Sequence, residues 1–91
     1  TELNKVFALG EAHGVRVVPH SAYFGPGLLA SIHVSAAQAR EVWIERFYCD
    51  FDENPFSDAI NPKHGRMAIP QGPGLGVDPD PVLLKKLAVD N

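Results

Sequence analysis

Leu3, Val6, Phe7 and Leu9 recur at helical spacing and predict a helix over Glu2–His13. Gly14 is well placed to stop it. Val15-Arg16-Val17-Val18 is a β-branched run closed by Pro19; it predicts a short strand with His20 at its C-terminal end. Gly25-Pro26-Gly27 marks Ser21–Gly27 as a loop. Leu28–Ala39 is small and apolar, a composition suited to a helix packed closely on a sheet. Val42-Trp43-Ile44 predicts a second strand, ending at Glu45. After that the pattern changes. Asp50–Pro62 is rich in Asp, Asn and Pro with no clean period, and reads as loop with room for one helical turn. Met67-Ala68-Ile69 fits a short strand, and Gln71–Pro81 is irregular. Val82–Val89 predicts a closing helix, with Asp80 as N-cap and Pro81 at its first position.

Strands alternating with helices imply an α/β fold with a parallel sheet. Two strands cannot make a buried parallel sheet alone, because both faces and both edges need cover. A (β/α)₈ barrel takes about 250 residues. A chain of 91 residues would supply part of one. It opens on Thr1 rather than Met, which fits a piece of a longer chain.

Composition narrows the field. Eight Lys+Arg against 11 Asp+Glu leave a formal charge of −3. With a pI near 5.7, this argues against a nucleic-acid partner held through phosphates. No apolar run is long enough to span a membrane. Cys49 stands alone, which excludes an internal disulfide framework and fits a cytoplasmic location.

His20 and Glu45 are the first candidates for chemistry. Each directly follows a predicted strand, on the rim where parallel α/β folds place their active sites. A histidine there transfers protons near neutral pH. A glutamate there acts as a base when ionised and as a hydrogen-bond donor when protonated. On spacing alone, a solvated histidine and a surface carboxylate remain the alternative. Gly72-Pro73-Gly74-Leu75-Gly76 is not a phosphate cradle: Pro73 lacks an N–H, and Asp78 and Asp80 follow. A tight structural turn is expected instead. His13, His33 and His64 show no metal-ligand spacing, and His33 reads as a satisfied packing residue. Asp50, Asp52, Glu53 and Asp58 lack the calcium-loop pattern. Trp43 and Phe47 are expected in the core.

Four strings stand in order: Val17-Val18-Pro19-His20-Ser21, Phe24-Gly25-Pro26-Gly27, Trp43-Ile44-Glu45 and Pro70-Gln71-Gly72-Pro73-Gly74-Leu75-Gly76-Val77. Together they resemble the C-terminal end of the enolase superfamily, in the mandelate racemase/muconate lactonizing enzyme family. The resemblance implies a modified (β/α)₈ TIM barrel beneath an α+β capping domain. Residues 1–69 would be its last βα units, and residues 70–91 the irregular tail returning toward the capping domain. It further implies Mg²⁺, held by carboxylates on the third, fourth and fifth strands, outside this chain. His20 matches the acid/base histidine after the seventh strand. Glu45 matches the glutamate after the eighth strand, which hydrogen-bonds the substrate carboxylate. The longer loop after His20 resembles the acid-sugar dehydratases, and Tyr23 and Phe24 are expected to line the substrate pocket.

The expected function is thus part of a Mg²⁺-dependent acid-sugar dehydratase that abstracts an α-proton and passes through an enediolate. A racemase or epimerase of a 2-hydroxy acid is the alternative within that class. The partners implied are a small acid substrate, the rest of the barrel and the capping domain, and further copies in a homo-oligomer. The isolated 91 residues are expected to be inactive. A stand-alone interaction module, pairing its strand edges with another chain, is the reading from a different class.

Overall fold

A computed structural model describes residues 1–21, 24–47 and 49–89. Among these are three α-helices, α1 (Glu2–Ala12), α2 (Pro26–Ala36) and α3 (Pro81–Leu87), and one 3-10 turn over Ser57–Ile60. Helix α1 ends as Gly14 requires. Gly14 takes φ +65°, its N–H donates to the Glu11 carbonyl, and the Val15 N–H donates to Gly10. Both orphan carbonyls are thereby satisfied in the Schellman arrangement, which a Cβ at Gly14 would disfavour. Helix α2 starts two residues earlier than its apolar run, because Pro26 is pre-set for the first turn. It stops at Ala36, short of the predicted Ala39. Helix α3 begins as predicted: the Asp80 carboxylate accepts from the Val82 and Leu83 N–H groups at 2.8 and 3.2 Å.

The core is small and centres on α2. Leu28, Leu29 and Ile32 are buried against Ile60 of the 3-10 turn, with Phe24, Ile44, Phe56, Met67, Leu75 and Val77 packed around them. Each fully buried aliphatic side chain contributes about 1.5–3 kcal/mol. Helix α1 buries only Phe7 and Gly10, so Val6 and Leu9 of its predicted apolar stripe lie exposed. Gly10 is required by close approach: a Cβ there would lie 2.5 Å from Val17 Cγ2.

The predicted strands do not form: no strand is present among the described residues. Yet residues 17–21 and 41–47 keep the strand period. Val17, Pro19 and Ser21 turn inward while Val18 and His20 are exposed. Val42, Ile44 and Arg46 turn inward while Glu41, Trp43, Glu45 and Phe47 are exposed. That is the alternation of a pleated chain. Two contacts join the segments in the same chain direction: the Arg16 guanidinium lies 5.0 Å from the Trp43 ring centroid, and His20 meets Glu45. The first segment advances four residues between these contacts and the second only two. That is out of step with a parallel ladder, whose bonds are evenly spaced. Two isolated parallel segments also lack the neighbours that a buried sheet needs.

The same geometry corrects two core expectations. Trp43 and Phe47 are exposed, because alternation sends them outward with Glu45. The third predicted strand, Met67–Ile69, is likewise irregular; only an isolated antiparallel bridge, Lys63 to Arg66, precedes it. The radius of gyration is 14.7 Å, against about 12 Å for a compact domain of this length. No helix is long and apolar enough to cross a membrane among the described residues.

Candidate functional site

His20 and Glu45 come together. The His20 Nδ1 and Glu45 Oε2 atoms are 2.7 Å apart, at corresponding ends of two segments running in the same direction. Pro19 and Ile44, the residues before them, turn inward, so the pleat directs both polar side chains to one outer face. His20 is 78% exposed and Glu45 44%. An ion pair this open adds at most about 1 kcal/mol to stability. Its value is geometric. A carboxylate accepts from Nδ1–H, and a neutral imidazole of that tautomer carries its lone pair on Nε2. If the imidazole is protonated, the same carboxylate stabilises the cation. The pair is therefore equipped to take up or deliver a proton.

Of the two other predicted site residues, Phe24 is placed in an aromatic group. Its ring stacks on Phe47 at 6.2 Å and meets Phe51 edge-on at 4.5 Å. Tyr23 lies outside the described residues.

Arg46 escaped the sequence reading. It follows Glu45 directly, yet its side chain is only 10% exposed. It donates to the carbonyls of Ile60, Phe47 and Cys49, to the Asp50 carboxylate and to the Asn61 amide oxygen. The available signal was an arginine at an inward position of the alternating run Val42–Arg46.

The remaining motifs resolve as structure. The Gly72–Gly76 turn closes on itself through Gly72 N–H to Gly76 O and Gly76 N–H to Pro73 O, spending donors that a phosphate would need. Gly76 has φ +83°, and a Cβ there would stand 2.5 Å from the Pro70 carbonyl oxygen. His33 packs in α2, and its Nε2–H donates to the Leu75 carbonyl at 2.9 Å, tying this turn to the core. Among the described residues no group of three or more His, Cys, Asp or Glu could hold a metal ion. The donors present therefore do not fit a Mg²⁺ site on their own.

Two clefts, of about 500 and 740 Å³, flank Val42 and Trp43, and neither is lined by His20 or Glu45. Ser35 lines the larger, with a buried hydroxyl oxygen that has no hydrogen-bond partner.

His20 and Glu45, which meet at the ends of two segments running in the same direction, form the candidate site, and comparison with known proteins gives the family. Residues 1–83 match the family described as enolase C-terminal domain-like, and the chain belongs to that family. It is similar to the D-galactarolactone cycloisomerase of Agrobacterium fabrum, with 35% identity covering 86% of this chain and 23% of the relative. It is also similar to the arabinonate dehydratase of Saccharolobus solfataricus, with 30% identity covering 84% of this chain and 21% of the relative. The chain thus spans between a fifth and a quarter of the length of these curated relatives. No solved structure matches it significantly.

Proposed function

We propose that this chain is the C-terminal portion of an acid-sugar dehydratase, with His20 as its proton donor. The contact between His20 Nδ1 and Glu45 Oε2 carries the reading. The dehydratase and cycloisomerase relatives, both named for acid-sugar chemistry, support its substrate class. In this reading a base outside residues 1–91 takes the α-proton of a sugar acid, leaving an enediolate. Protonated His20 gives its proton to the β-hydroxyl, which leaves as water. The resulting enol tautomerises to a 2-keto acid. Glu45 steadies the imidazolium before transfer. Its second carboxyl oxygen adds acceptor capacity on the substrate side, and a protonated Glu45 would donate to the substrate carboxylate. Phe24, with Tyr23 beside it in sequence, forms the pocket wall.

Mg²⁺ belongs to this reading only as the cofactor that the resemblance implies, with its carboxylate ligands outside residues 1–91. The outward face carrying Val18, Trp43 and Glu45 is then the face that the remaining barrel strands cover. Residues 70–91 are the tail toward the capping domain. The cycloisomerase relative favours a second reading, in which the same acid/base pair serves an isomerase.

The test is to supply the full-length protein with a panel of acid sugars and their lactones, with Mg²⁺ present. Formation of a 2-keto acid is expected. Lactone isomerisation without loss of water moves the assignment to the second reading. A folded protein inert toward the whole panel overturns both. The 91 residues alone are expected to be inactive and to melt without cooperativity. A sharp melting transition from this piece would favour the stand-alone module instead.

A further inference from the structure

We propose that Arg46 is the positioning residue of this site, holding the backbone so that Glu45 is presented to His20. A guanidinium has five N–H donors, and each of those of Arg46 has its own acceptor. Nε donates to the Ile60 carbonyl at 3.2 Å. Nη1 donates to the carbonyls of Phe47 and Cys49. Nη2 donates to Asp50 Oδ1 at 2.7 Å and to Asn61 Oδ1 at 3.2 Å. The Phe24 ring covers the guanidinium, with its centroid 4.9 Å from Cζ. No donor is left for a substrate carboxylate, so Arg46 acts through its neighbours rather than on the substrate.

Its leverage comes from the pleat. Arg46 turns inward and Glu45 outward along one alternating segment. Anchoring the inward side chain fixes the rotation of the segment, and with it the direction in which Glu45 leaves. The anchors lie on separate stretches of chain: Phe47 at the end of the segment with Cys49 and Asp50 just beyond it, and Ile60 and Asn61 at the end of the 3-10 turn. Phe24 stands four residues after His20, so the guanidinium links the two sides of the pair. Lysine cannot replace it, having three donors on a point charge and no planar face to set on Phe24.

This inference rests on reading His20 and Glu45 as the proton-transfer pair, and its test is separable from the activity test. The readout is the tautomer of His20 in the full-length protein, from long-range ¹H–¹⁵N correlations at a pH where the ring is neutral. Glu45→Ala defines the signature of the lost contact. Arg46→Lys is expected to move the His20 signals at least halfway to that signature while the far-ultraviolet circular dichroism stays unchanged. A folded Arg46→Lys protein with the wild-type tautomer overturns the proposal, since a merely structural arginine lowers the melting temperature and leaves the tautomer alone. If Arg46→Lys does not fold, Asn61→Ala decides by removing one anchor: a partial shift supports the positioning role and a wild-type signal overturns it. On an acid-sugar substrate, Arg46→Lys is expected to lower kcat about tenfold with KM within about twofold, the pattern of a misplaced catalytic group. Absence of turnover by the wild type would remove the dehydratase reading and leave the tautomer result to judge Arg46.

Discussion

In residues 1–47 order follows apolar periodicity; in residues 49–89 it follows individual polar and stereochemical devices. The first region has two 11-residue helices and two alternating segments, and α2 supplies three of the four residues of the central cluster. The second region supplies one, Ile60, and its helix α3 buries none. Its Phe56, Met67, Leu75 and Val77 pack on the outside of that cluster, and single bonds order the chain between them. The Asn54 side chain accepts from the Phe56 N–H, Asp80 caps α3 and donates its own N–H to the Pro55 carbonyl, and Lys86 pairs with Glu53. Gly74 and Gly76 turn the tail through positive φ, and His33 holds the turn to α2. Burial is distributed over many atoms and tolerates local change, whereas a turn built on one glycine or one cap fails at that residue. The candidate pair His20 and Glu45 sits in the first region, and the Arg46 guanidinium hydrogen-bonds the second at Ile60 and Asn61.

The comparison breaks most visibly at His20. His20→Asn in the full-length protein is expected to lower kcat by about 10²–10⁴-fold, the usual contribution of a general acid. The fold should be untouched, because asparagine keeps a polar side chain at a position outside the buried cluster. Steady-state kinetics beside circular dichroism check this, and a variant with full activity would take His20 out of the chemistry. Leu29→Ala, again in the full-length protein as for the variants that follow, tests the burial side: loss of a fully buried leucine should cost about 2–5 kcal/mol in urea denaturation. Gly76→Ala tests the stereochemical side and should cost about 3 kcal/mol, since it adds a backbone clash to a strained φ. Gly74→Ala, at φ +62° with no atom near the new Cβ, should cost only about 1 kcal/mol. Equal costs for the two glycines would mean that contact with Pro70 is not what shapes the turn. The smallest effect is expected from Asp80→Ala, about 1 kcal/mol from two lost capping bonds, seen as a lowered urea midpoint with an unchanged m-value.

Two helix ends and the tight turn are legible in the sequence, whereas the three expected strands do not form among the described residues. The termination of α1 at Gly14 and the capped start of α3 were readable because each depends on residues within one turn. The tight turn at Gly72–Gly76 was readable for the same reason. His20 and Glu45 were readable because each closes a β-branched or apolar run before a loop. Arg46 was not, since its acceptors at Ile60 and Asn61 lie 14 and 15 residues away and nothing in the local pattern brings them near. Hydrophobicity alone predicts burial of Trp43 and Phe47, but the side of the pleat on which each falls sends both outward.

The sequence by itself determined the helices, the turns, the period-two character of residues 17–21 and 41–47, and which residues of each segment share a side. These follow from propensity, stereochemistry and alternation, which act over a few residues. Only the tertiary structure decided that the two segments run side by side without a ladder. It also decided that His20 and Glu45 meet at 2.7 Å and that one guanidinium ties the meeting place to a distant turn. Those outcomes depend on contacts between residues far apart in the chain, and local preference carries no information about which distant partner arrives.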